Sequence, residues 1–194
     1  LSYYLKNNVG KISAESIESQ FDEIFKADIF KTKPKFKSSQ HIIFIYLIYA
    51  NHSSSTNQAI NELIHLKKAL NIYEENKVYM FENPLDYISI YIRIIDILKE
   101  GDSAVFYHEL NKLKNFNSMN DLQKKVVNER IFIHAFQCEL EHLLINKDKV
   151  RTAEILTNII NTLPTIKFNI EPYYYIKLHY LIASVYCVFG NFSI

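Results

Sequence analysis

Residues 83–102 read NPLDYISIYIRIIDILKEGD, and residues 103–116 continue SAVFYHELNKLKNF. Pro84 suits the first turn of a helix, where its missing N–H costs nothing, and Asn83 stands in the capping position before it. From there apolar residues run almost unbroken to Glu100, and Gly101 stops the helix. Asp102 then opens a second, more amphipathic helix that ends near Phe116. A broadly apolar helix, a tight turn and an amphipathic helix make an antiparallel pair. The first member must be covered on more than one side.

The same order recurs on either side of this pair. Ser39–His52 is apolar nearly all round, the polar run Asn51 to Asn57 breaks the chain, and Thr56–Glu75 follows with a stripe of Ile60, Leu63, Ile64, Leu70 and Tyr73. Met119–Asn146 is followed by Asp148–Leu163, which Pro164 stops. A last helix opens at Glu171–Pro172 and runs to Phe189, with Gly190 at its end. Ahead of all these, residues 13–30 read as an amphipathic helix (Ile17, Phe21, Ile24, Phe25), capped by Ser13 with Glu15 in its first turn. Four lysines and Pro34 make residues 31–37 a solvated loop. The turns centre on Ser54, Asp102, Asp148 and Asn191, in steps of 48, 46 and 43 residues. Periods of this size are those of stacked helix pairs. The expectation is an all-α chain, one helical-repeat domain over residues 1–194, with pairs at 39–75, 84–116, 119–163 and an incomplete 171–194. Leu1 in place of Met and the missing partner of the last helix read as a fragment of a longer protein.

Composition narrows the function. The 194 residues are 48% hydrophobic and 22% charged, the proportions of an ordinary globular protein. A net charge of +1 removes the basic surface that nucleic-acid binding needs. Three glycines and four prolines are too few for the turns of a β-sandwich or barrel. Cys138 and Cys187 have no framework spacing and read as two buried thiols in a reducing, cytoplasmic setting. Ile42–Tyr49 and Tyr87–Leu98 are too short to span a bilayer, and Arg93 interrupts the second, so no membrane association is expected.

Near the C-terminal end the stretch Leu181 to Phe192 resembles a tetratricopeptide repeat. Ile182 and Ala183 supply its large and small residues, Tyr186 its tyrosine, Gly190 its turn glycine and Phe192 the aromatic after it. Elsewhere the likeness is architectural: Ile94 and Ile97 stand where the small residue and the tyrosine would precede Gly101, and only Val150 and Ala153 keep a trace of the pattern after Asp148. The resemblance implies a right-handed α-α superhelix whose concave face binds a protein or peptide, without catalysis or cofactor. Counting back from the turns as the resemblance implies, the groove would be lined by Tyr91, His134, Gln137, Glu141, Lys177, Tyr180 and Ser184.

Two constellations invite a different chemistry. His134, Cys138 and His142 recur at steps of four on one helix with Glu141 beside them, a spacing that puts potential zinc ligands on one face. Two Glu-x-x-His motifs, Glu62 with His65 and Glu139 with His142, match half of a di-iron carboxylate site, with Asp28 and Glu109 as further carboxylates. Three ligands strung along one helix seldom converge on one ion, the helices are cut too short for a ferritin-like bundle, and Glu62 and His65 point away from the apolar stripe of their helix. A metal-binding bundle is therefore the alternative reading, with the ligand-sensing domain of a bacterial regulator a third. No G-x-S-x-G, glycine-rich phosphate loop or activated cysteine supports nucleophilic catalysis.

Overall fold

A computed structural model describes residues 39–117, 121–162 and 172–190. Among them are eight helices and no strand: α1 Ser39–Ser55, α2 Ala59–Glu75, α3 Lys77–Glu82, α4 Pro84–Leu98, α5 Ser103–Lys114, α6 Asp121–Asn146, α7 Lys149–Thr162 and α8 Pro172–Phe189. The all-α expectation holds. The helix expected at residues 13–30, the lysine-rich loop, the stop at Pro164, and Asn191 and Phe192 lie outside the described residues. None of the described helices is long and apolar enough to cross a membrane.

The chain divides into two compact bodies, Leu1–Ile72 and Tyr73–Ile194. In the first, α1 and α2 run antiparallel: the Tyr49 ring stacks on His65 at 4.8 Å, and one turn away Lys68 lies over the Tyr46 ring at 5.7 Å. The turn between them falls three residues later than Ser54. Ser55 and Thr56 hydroxyls donate to the carbonyl of His52 at 2.8 and 3.0 Å, satisfying carbonyls that the helix end leaves open. The helix therefore runs through the polar segment instead of breaking at Asn51. Asn57 takes the left-handed conformation, φ 55°, and the Asn57 and Gln58 N–H groups close back on the carbonyls of Ser54 and Ser53. Burial in α1 is less complete than its apolar run implies, with Ile43, Ala50 and Ser53 buried and Phe44 exposed.

The buried face of α2 differs from the expected stripe. Leu70 and Tyr73 are buried as expected, but Ile60 and Ile64 are exposed, and Glu62, Leu66 and Ala69 are buried in their place. Spacing alone allowed either face. Leu66 and Ala69 are fully enclosed, and Ala69 leaves room for close helix approach.

In the second body α3 is an addition to the sequence reading. Asn76 caps it by accepting from the Tyr79 N–H at 3.2 Å. Pro84 occupies the start of α4 as expected, but the Asn83 side chain turns back to donate to the Tyr79 carbonyl at 3.1 Å. Asp102 caps α5 through the Val105 N–H, and Asp148 caps α7 through the Arg151 N–H. Lys147, φ 56°, and Gly190, φ 78°, end α6 and α8 in the left-handed conformation. Asn57, Gly101, Lys147 and Gly190 thus stand 44, 46 and 43 residues apart.

Helix α6 is the hub of this body. It packs against α4, α5, α7 and α8, while α4 also meets α3 and α5, and α7 meets α8. Leu140, Leu156, Ile159, Leu178, Leu181 and Val185 form a core joining α6, α7 and α8, with Ile182 and Tyr186 packed against it half-buried. Ala183 is exposed, on the outward face of α8 with Ile176 and Tyr180. Cys138 is buried as expected. Cys187 is not: it lies exposed, one helical turn beyond Ala183.

Leu156 has no exposed surface, so Leu156→Ala should lower the unfolding free energy by roughly 2–5 kcal/mol, measurable by urea denaturation. Lys147→Gly should raise it by about 0.5–1 kcal/mol, because glycine takes the left-handed conformation without the Cβ penalty; Gly190→Ala should lower it by a similar amount.

Candidate functional site

Beyond Asp86 in its first turn, helix α4 is broken by polar residues along one line, Ser89, Arg93 and Asp96, spaced four and three residues apart. Helix α6 carries a matching line of Arg130, His134, Gln137 and Glu141. The two lines meet side by side. Arg130 Nη1 donates to Ser89 Oγ at 3.4 Å, and Lys99 Nζ reaches both Asp96 Oδ1, at 2.7 Å, and Glu141 Oε2. These partners are 41 and 42 residues apart, so α4 and α6 run parallel. Lys177 of α8 reaches the other oxygen of Glu141 at 3.1 Å. One carboxylate therefore ties three helices together.

The electrostatics follow from this crowding. Burial pulls the Lys99 ammonium toward its neutral form, but hydrogen bonds and charge from Asp96 and Glu141 outweigh that and hold its pKa above the usual lysine range. His134 is pushed down to about 4, mainly by burial, then by Arg130 and Lys177, with Asp96 partly opposing. It is a neutral imidazole at pH 7.

Of the expected groove residues, this line contains His134, Gln137, Glu141 and Lys177, although Gln137 is buried. Tyr180 is exposed, and the Ser184 hydroxyl donates to its carbonyl at 2.9 Å. Tyr91 stands elsewhere. It is buried toward α5, where its hydroxyl donates to Glu109 Oε2 at 2.5 Å. Ser89, Arg93, Asp96, Lys99 and Arg130 were missed, although the polar spacing within the apolar run of α4 was a usable signal.

The residues weighed as metal ligands are engaged otherwise. The Cys138 thiol is pushed up to about 12 by burial and stays protonated. Glu139 is ion-paired to Lys114 at 2.5 Å. His142 lies between the Lys99 carbonyl, 2.5 Å from Nδ1, and Ser103 Oγ, 3.0 Å from Nε2, with Phe106 stacked on its ring at 4.2 Å. Glu62 and His65 belong to α2, and the structure corrects their orientation: Glu62 is buried, and His65 is half-buried against Tyr49. No three His, Cys, Asp or Glu side chains come together to hold a metal among the described residues.

Among the described residues, a cavity lies at each end of α5. One of about 560 Å³ lies between the end of α5 and α6, with Asn115, Asn117, Asn128, Ile131 and Ala135 in its lining. The other, about 310 Å³, opens at the α4–α5 turn, beside Ser103, Tyr107, His142 and Arg151.

Comparison with protein-family models, with curated proteins and with solved structures gives no match to this chain.

His134 makes stability depend on pH. Its folded pKa lies below the ordinary value of 6.5, so the unfolded chain takes up the proton first as pH falls. Stability is complete above pH 6.5 and declines toward pH 4, by about 2 kcal/mol after discounting for partial exposure. His134→Gln should flatten that slope in unfolding curves measured across the interval. An unchanged slope would show that His134 does not carry it.

Proposed function

We propose that this chain is an interaction scaffold of the tetratricopeptide-like kind, in which α4, α6 and α8 are the first helices of successive pairs and line a concave binding face. The observation carrying this reading is the continuous polar line from Ser89 through Arg130, His134 and Glu141 to Lys177, across three helices of which α6 packs against the other two. In a right-handed superhelix of helix pairs, the first helices pack in parallel and the second helices lie outside them. The parallel contact of α4 with α6, the further contact of α6 with α8, and the turn spacing near 45 residues all support that arrangement. Binding is passive: packed helices hold the face rigid, so a docking segment loses entropy but the receptor loses little.

The line carries Arg93, Lys99, Arg130 and Lys177 against Asp96 and Glu141. This excess of cations favours an acidic protein or peptide segment. Lys177 is its most adaptable member, because its side chain is 36% exposed and Glu141 shares its charge with Lys99. Acidic peptides on an array should bind the full chain, and Arg93→Glu with Lys177→Glu should weaken binding at least tenfold in fluorescence anisotropy. The affinity should also fall with added salt. Peptide binding indifferent to both changes would dismiss the face as the binding surface.

A further inference from the structure

The α4–α5 turn places a hydroxyl and an imidazole in a relation that the binding face does not use. Ser103 is the first residue of α5, and its Oγ lies 3.0 Å from His142 Nε2. The other ring nitrogen, Nδ1, is 2.5 Å from the carbonyl of Lys99. A carbonyl only accepts, so Nδ1 carries the proton and Nε2 presents its lone pair to the Ser103 hydroxyl, with the Asn146 amide nitrogen 3.2 Å from Nε2 while it donates to the His142 carbonyl at 2.8 Å. His142 is almost wholly buried, with Phe106 stacked on one face of its ring and Tyr107 edge-on at 5.4 Å. The imidazole is held in one tautomer and one orientation.

The surroundings suit charge separation across that hydrogen bond. Ser103 lies at the N-terminal end of α5, where a helix dipole favours an oxyanion. Asp102 takes up the N–H groups of Val105 and Phe106. Those of Ser103 and Ala104 have no partner among the described residues and stand at the helix start. Ser103 and Ala104 are exposed and open onto the 310 Å³ cavity. Tyr107, which also lines it, has a buried hydroxyl without a partner among the described residues. Arg151 stacks on the Tyr107 ring at 3.8 Å, at the cavity edge.

We propose that Ser103 and His142 are a nucleophile–base pair that accepts an acyl group from small activated esters. Ser103 Oγ attacks the ester carbonyl as its proton passes to His142 Nε2. The oxygen of the tetrahedral intermediate is met by the N–H groups at the start of α5. The bond to the leaving alcohol then breaks, and His142 returns the proton to that oxygen. Water, deprotonated by the same nitrogen, releases the acid and restores the hydroxyl. The Lys99 carbonyl plays the orienting part that a carboxylate plays in other serine–histidine pairs. A hydrogen bond that merely satisfies a buried imidazole would give Ser103 no such reactivity.

The test is labelling of the full chain with a fluorophosphonate, followed by peptide mapping, alongside hydrolysis of p-nitrophenyl acetate. The expected result is one adduct on Ser103, absent in Ser103→Ala, with ester hydrolysis falling in parallel. His142→Asn keeps a donor for the Lys99 carbonyl but removes the base, and should slow labelling roughly 100-fold. Should that variant unfold, the wild-type chain in urea serves instead, since Ser103 should there label no faster than any other serine. A folded wild-type chain that takes no label, a label on another residue, or Ser103 labelling that survives either loss of His142 or unfolding would overturn the proposal.

Discussion

Helix α6 is enclosed by four others, yet the surfaces they cover carry Gln137, Glu139, Glu141 and His142. A buried polar group without a partner costs more than most single apolar contacts return, so the neighbours of α6 are bound to supply partners. Lys99 of α4 and Lys177 of α8 meet Glu141, Lys114 of α5 meets Glu139, and Ser103 of α5 meets His142. Together these pairings pin α4, α5 and α8 against one turn of α6, residues 139–142. Apolar replacements would stabilise this interface as well or better. What the polar row contributes is register: a neighbour sliding by one turn would strand a carboxylate or an imidazole in the interior.

The same residues also explain how so few glycines suffice. Lys99 acts twice at the end of α4, its ammonium on Glu141 and its carbonyl on the His142 ring. That carbonyl is one a helix end leaves open, and the imidazole satisfies it where a left-handed glycine cap otherwise would. The end of α6 takes a different route. Lys147 adopts the left-handed conformation itself, and Asp148 both closes the turn onto the Leu143 carbonyl and caps α7. Tight turns therefore join helices whose ends are satisfied from α6 or by the next cap, and the chain saves residues for packing.

This division of labour decides what could be read from the sequence. Turns made of local chemistry, at Gly101–Asp102 and Lys147–Asp148, were legible to within a residue. The turn at Asn57 was misplaced because serine and threonine hydroxyls, which ordinarily compete with helix, here bond backward and extend it. The buried side of α2 was misread because Ile60 and Ile64 offer a better apolar stripe than Leu66 and Ala69, and only packing distinguishes the two. Of the polar line, His134, Gln137, Glu141 and Lys177 were legible through the tetratricopeptide-like counting from the turns. Tyr91 was misplaced because a tyrosine at groove spacing satisfies its hydroxyl equally well on Glu109 of the adjacent helix. The Ser103–His142 pair joins positions 39 residues apart; His142 stood out only by metal-ligand spacing and Ser103 by none, so their pairing had no signature to find.

If the polar line is a binding face, the ion pairs already made by Asp96 and Glu141 have a particular consequence for recognition. An arriving carboxylate gains only the difference between its own contact with a lysine and the internal pair it displaces. Lys99 is held by two carboxylates and is mostly covered, so exchange there returns little. Lys177 is more exposed, and Glu141, on losing it, keeps Lys99. Exchange at Lys177 leaves no buried charge alone and does not loosen the α4–α6 contact. On the proposed reading, exchange of an internal ion pair for a partner's carboxylate is thus confined to Lys177, at the α8 edge of the line.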